Sequence, residues 1–297
     1  MRYMALLALL LVSSISTAYE TDQHSHRTQD VSDSLDLMDA QVNEALVRIL
    51  NKKRQPKSQR AFAAAIFHQI GGYYWADKIE RWAARSPEVE KYNQTRHKSI
   101  YRAMPIWATR VNFLFGVGRT FRVNNVMVGS DKFGHFVSIG RKYFRRELKG
   151  WSRERILAQG AFAESWLWGY FTTGVFSNAD LVANYEGWRF YKSLFEDDIT
   201  PGKPAILTRK DGRWVMQRPF TWADHINEYW DEALNPSFNV PSLDKRLRKA
   251  IRNLCPLYEE NPAAYSLRQD DQELQRRYGD LNMRDSRANR FEVICES

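Results

Sequence analysis

The reading of this chain turns on three short stretches: Asp131-Lys132-Phe133-Gly134-His135-Phe136, the apolar run Ile156–Phe176 with Glu164 as its one acid, and Asp180-Leu181-Val182-Ala183-Asn184-Tyr185-Glu186-Gly187. Asp131 and His135 are four residues apart, as are Asp180 and Asn184, so a helix stacks each pair on one face about 6 Å apart along its axis. A lone carboxylate inside an apolar helix costs several kcal/mol unless it has a partner. Glu164 therefore needs company from His135, Lys132, a protonated neighbour or a metal ion. Convergence of three helices carrying Asp131, Lys132, His135, Glu164, Asp180 and Asn184 supplies it. These expectations define a mainly α fold, a single helical bundle around a buried apolar helix 156–176.

Outward from that centre, capping residues punctuate the chain. Ser130 or Asp131 caps one helix, running to about 149, and the capping box Ser177-Asn178-Ala179-Asp180 opens another. Either aspartate then has two readings, as a cap satisfying backbone amides or as a member of the polar cluster. Upstream, Leu35, Met38, Val42, Leu46 and Ile49 recur at helical steps in a helix that packs on one side and runs to Arg54 from a cap at Ser32 or Ser34. Residues 51–60 form a basic connector without an acid, and His68 reads as a core histidine. Gly116, Gly118 and Asn124-Asn125 read as a loop. Downstream, Asp211-Gly212 predicts a small β-hairpin within 205–217, and Thr221 caps a helix to about Leu234. A basic amphipathic helix follows Ser242, fit to pack on the body or lie on an anionic membrane. The domain plan is a helical core over 31–200 and a C-terminal extension over 201–297 packed on it.

Residues 1–18 have the charged n-region, apolar core and Ser16-Thr17-Ala18 ending of a signal peptide cleaved after Ala18, with an uncleaved anchor as the alternative. Export places the mature chain in the periplasm or outside the cell. Residues 19–30 then form a flexible N-terminus, or a metal-binding tail with Asp22, His24 and His26. Cys255 and Cys295, the two cysteines, pair in such an oxidising compartment, free thiols being the alternative. The net charge of +9 favours anionic lipid or envelope polymer as partner, with peripheral membrane association. No nucleic-acid motif is present. Ten Trp in 297 residues fit an aromatic core or a membrane-facing surface.

The order Asp-Lys-x-x-His-Phe, an acid in an apolar helix, then Asp-x-x-x-Asn-x-x-Gly resembles the VanZ-like proteins and the related YfiM-like periplasmic proteins. The matching positions are Asp131, Lys132, His135, Phe136, Glu164, Asp180, Asn184 and Gly187. The resemblance implies a helical core and a role in the cell envelope, without a settled reaction. VanZ-like proteins are membrane-embedded, whereas helix 131–149 here carries Arg141, Lys142, Arg145 and Arg146, which favours a soluble or peripheral version.

Two functions compete. One is a non-catalytic envelope protein that binds lipid or wall polymer, its polar cluster locking helix packing. The other is a metal-assisted hydrolase acting on a phosphorylated or ester-linked envelope component. Asp131, His135, Glu164 and Asp180 would then hold Zn, Mn or Fe, with His135 and Glu164 as catalytic groups.

Overall fold

The structure, a computed structural model, describes residues 21–72, 76–92, 95–104, 117–163 and 175–297. The expected signal peptide lies outside them. Helix is the main regular structure, accompanied by three small two-stranded antiparallel sheets.

Helix α1 (Leu35–Leu50) buries Met38, Val42, Ala45, Leu46 and Ile49, the one-sided pattern its sequence encodes. It ends at Asn51, short of Arg54, and Ser34 gives no side-chain cap. Asp33 serves there instead, accepting from the amides of Leu35, Asn124 and Asn125. In α2 (Gln59–Ile70), capped by the Ser58 hydroxyl, Phe62, Ile66 and Ile70 point inward. His68 falls on the opposite side and is exposed rather than a core residue. Helix α3 (Lys78–Arg85) follows.

Residues 120–129 form a hairpin where a loop was expected. Strands β1 (Thr120–Val123) and β2 (Val126–Gly129) pair antiparallel through a turn at Asn124 and Asn125, with φ of 53° and 59°. Two-residue hairpin turns of this hand need positive φ at both positions, which asparagine tolerates. The hairpin hands Gly129 directly to α4 (Ser130–Gly134). Instead of one continuous helix to 149, a π-helical turn over His135–Ile139 separates α4 from α5 (Gly140–Glu147).

The described half of the supposed buried helix, α6 (Arg153–Ala163), is amphipathic: Ile156, Leu157 and Gly160 are buried, while Arg155, Ala158, Gln159 and Phe162 are exposed. The central position belongs to α7 (Asn178–Ser193), which follows the short strand β3 (Val175–Phe176) and buries fourteen of its sixteen residues. Helix α7 lies so close to the π turn and α5 that side chains cannot intervene. A Cβ on Gly187 would sit 2.0 Å from the Phe136 carbonyl oxygen, and one on Gly140 would sit 2.3 Å from the Gly187 backbone.

The expected hairpin forms, with β4 (Leu207–Lys210) and β5 (Arg213–Met216) joined by Asp211-Gly212. The helix expected from Thr221 to Leu234 does not. Thr221 caps only a 3-10 turn over Trp222–Asp224, and a second turn covers Glu228–Trp230. Every residue from 225 to 237 is buried, and Glu228, Asp231 and Glu232 bond to distant groups, so tertiary partners override the helical tendency. Strand β6 (Phe238–Asn239) then pairs with β3, tying the C-terminal extension to the core.

The basic helix α8 (Pro241–Arg252) sinks Leu243, Leu247 and Ile251 into a second apolar cluster with Ile100, Tyr101, Tyr265 and Phe291. That apolar face is spent on packing within the chain, leaving none of it to enter a membrane. Short helices α9 (Cys255–Glu260), α10 (Asp271–Tyr278) and α11 (Phe291–Cys295) complete the fold. Cys255 and Cys295 are joined in a disulfide with Cα atoms 5.5 Å apart. Among the described residues, no helix is long and apolar enough to cross a membrane.

The polar segment after residue 20, expected to be flexible, packs into the body. Thr21, Asp22, Gln23 and His24 are all buried. Gln23 donates to the carbonyls of Met127 and Trp230 and accepts from Glu232 N, while Asp22 accepts from the amides of His24, Ser25 and Ile100. His24 lies against Phe291 and His26 against Tyr92, so Asp22, His24 and His26 do not converge as a metal set.

Candidate functional site

Lys132 is fully buried, and its ammonium is the centre of the polar cluster. Nζ lies 2.6 Å from Asp131 Oδ2, 2.6 Å from Asp180 Oδ1 and 2.7 Å from Glu232 Oε1. It donates hydrogen bonds to Asp131 and Glu232, whereas the Asp180 contact has ion-pair distance without hydrogen-bond alignment. Ser177 Oγ donates to the same Glu232 oxygen at 2.8 Å and also caps α7 by accepting from Asp180 N. The serine thus frees the Asp180 carboxylate from capping. Asp131 is no cap either: Gly129 precedes the helix, and the Asp131 carboxylate faces Lys132 on one side and the Thr21 hydroxyl on the other.

His135 extends the cluster toward its most open edge. Its Nε2 is 3.2 Å from Asp180 Oδ2 and its Nδ1 is 3.1 Å from Asn184 Oδ1, with both His135 and Asp180 side chains 12% exposed. Acceptors at both nitrogens suit an imidazolium; a neutral ring fits if the Asn184 amide turns its NH2 toward Nδ1. The ring is thus held between Asn184 and Asp180, its proton positions set by the tautomer.

The cluster has a second layer on α3. Asp77 Oδ2 accepts from Ser138 Oγ at 2.6 Å, and Glu80 is buried beside Gly134. Burial pushes the Asp77 carboxyl up to about 7, and burial together with the Asp131 and Asp77 charges pushes Glu80 well above its ordinary range. Burial also raises Asp131, and Lys132 offsets this only in part. For Lys132 itself burial favours the neutral amine, yet the charges of Asp131, Asp180 and Glu232 prevail and hold the ammonium protonated.

Of the three helices expected to converge, two are seen to do so, bringing together Asp131, Lys132, His135, Asp180 and Asn184. Glu164 lies outside the described residues. Glu232, Ser177, Asp77 and Glu80 join the site without having been foreseen. Glu232 sits in a segment that Thr221 was expected to cap as a helix, and only its burial marks it out.

The carboxylates of Asp131, Asp180 and Glu232 each offer an oxygen, all within 4.8 Å of one another, a spacing that can hold a metal ion. Lys132 already occupies the position between them. His135 reaches only Asp180 of that trio, so the ligand set of Asp131, His135 and Asp180 is not assembled around one point free of the lysine.

A second buried node stands apart. Glu186 accepts from His225 Nδ1 at 3.1 Å, Arg277 at 2.7 Å and the Tyr278 hydroxyl at 2.9 Å, with Arg189 at 3.2 Å. Burial would raise its carboxyl, but the His225 hydrogen bond and the arginine charges outweigh that and hold it down at about 2.

No family model, curated protein or solved structure matches this chain.

Proposed function

We propose that the chain is an exported, non-catalytic cell-envelope protein of the VanZ-like type, which binds an anionic envelope component through its surface and uses the buried polar cluster to lock its helices. One observation carries the second half of this reading: the Lys132 ammonium lies 2.6 to 2.7 Å from three carboxylates and takes the place a divalent ion would need. A built-in cation fills the centre of the site, and buried polar networks can specify packing without chemistry. In this reading the chain is a single helical bundle around the apolar helix 156–176, with α7 packed in its core. The +9 charge supports an anionic partner, and the leader-like residues 1–18 support export.

The competing metal-assisted hydrolase draws support from the carboxylate trio alone. It requires Lys132 to withdraw and Zn, Mn or Fe to enter, with His135 and Glu164 as catalytic groups. Metal quantification on mature protein purified without chelators separates the two. The expected result is far less than one equivalent of any divalent metal; a stoichiometric ion lost on His135→Ala or Asp180→Asn overturns the lock and establishes the hydrolase site.

A further inference from the structure

The basic connector 51–60 was read as an ordinary solvated loop, but the fold does not leave it alone. It is fastened to the β4–β5 hairpin, a segment some 150 residues away in sequence, by a dense set of hydrogen bonds. Gln55 donates to the Trp214 carbonyl and accepts from Trp214 N, and the Trp214 indole donates to the Pro56 carbonyl. Arg213 donates to the carbonyls of Lys52 and Lys53, and Arg209 to that of Lys57 while lying 4.3 Å over the Trp214 ring.

This fastening gathers Lys52, Lys53, Arg54, Lys57, Arg60, Arg209, Lys210 and Arg213 on one exposed face, with Asp211 as the sole acid in the two segments. Eight cations against one acid give a local net charge of +7, compared with +9 for the whole chain. The remainder carries a net +2, so these two segments hold most of the chain's excess positive charge. Lys52, Lys53, Arg54, Lys57, Arg60 and Lys210 enter no ion pair among the described residues, in contrast with Arg248, which pairs with Asp244 on α8. Assembling like charges costs free energy, and here the packed Trp214 and the arginine-to-carbonyl bonds offset it.

We propose that this face is the docking surface of the protein, and that its partner is the anionic phospholipid surface of a bilayer. The inference rests on the envelope reading above and names its partner. A bilayer is favoured over a linear polyanion because the cations crown an exposed loop and an exposed hairpin tip, whereas a polymer would be gripped along a groove. Trp214 is buried under Arg209, so attachment is electrostatic, without aromatic insertion. Each basic residue near a charged bilayer contributes about 1 kcal/mol, and the attraction fades within a Debye length of about 10 Å.

The test is co-sedimentation of the mature protein with vesicles of three parts phosphatidylcholine to one part phosphatidylglycerol, alongside pure phosphatidylcholine. Binding should require the phosphatidylglycerol and fall steeply with salt. Combined Lys52→Ser, Lys53→Ser, Arg54→Ser, Lys57→Ser and Lys210→Ser should weaken it more than about a hundredfold while the melting temperature holds, because Arg209 and Arg213 are kept. A control removing Lys245, Lys249 and Arg252 from α8 should leave it within about threefold. Equal loss in both variants, no binding of wild type to the mixed vesicles, or binding to soluble polyphosphate with none to vesicles overturns the proposal. The metal-free lock is read by metal content and so stands or falls separately.

Discussion

Replacing Lys132 by methionine keeps most of the side chain's length and removes the ammonium with its charge and its hydrogen-bond donors. Asp131, Asp180 and Glu232 then remain buried with oxygens within 4.8 Å of one another and no ammonium between them. Breaking a buried ion pair by removing one partner costs about 3–5 kcal/mol. At about 2–4 °C per kcal/mol for chains of this general size, the melting temperature should drop by roughly 6–20 °C at neutral pH. The loss should shrink on acidification. Without Lys132 the carboxyls rise above their unfolded values, so the folded form takes up protons more readily, and stability returns as pH falls toward the unfolded carboxylate range. Adding Asp131→Asn and Glu232→Gln to Lys132→Met should recover part of the loss even at neutral pH, because the uncompensated charge is gone. Thermal unfolding followed by circular dichroism across pH measures all of this. A melting temperature within about 2 °C of wild type, or a triple variant less stable than Lys132→Met, would refute the lock.

Three further outcomes follow from other parts of the molecule. Asp77 is raised to about 7 by burial, so it contributes stability that is full below the unfolded carboxyl range and is lost as pH climbs to 7; Asp77→Asn should flatten the melting temperature between about pH 4 and 7, removing a penalty of up to about 4 kcal/mol at and above the upper end. An unchanged pH profile in that variant counts against the buried carboxyl. Gly187→Ala would put a Cβ 2.0 Å from the Phe136 carbonyl oxygen and should cost about 3 kcal/mol or more, with soluble yield and melting temperature as readouts, whereas Gly279→Ala, where nothing lies within 4 Å and φ is negative, should cost far less. The Cys255–Cys295 bridge closes a separation of 40 residues, so Cys295→Ser should cost about 4 kcal/mol, and thiol titration of denatured, unreduced wild type should find no free thiol.

Much of the local structure was legible because it depends on near neighbours. The apolar spacing in α1, the Ser177 cap that frees Asp180, the Asp211-Gly212 turn and the pairing of the two cysteines all follow from short-range geometry or simple counting. The polar residues of α4, the π turn and α7 were legible as a group because charge inside apolar helices demands a partner. The partner's identity was not. Glu232 belongs to a segment whose local signals describe a helix capped by Thr221, and it enters the site only because Gln23, Ser177 and Lys132 satisfy its polar atoms at long range. The N-terminal segment was misread for the same reason: Thr21 to His24 are polar, and composition has no means of knowing that Met127, Trp230 and Ile100 offer them bonds inside the body. The sequence by itself determined which helices carry charge inward and where many of them begin. Only the tertiary structure decided that Lys132, held by its neighbour Asp131 and by Asp180 and Glu232 from two distant segments, is the cation the three carboxylates share.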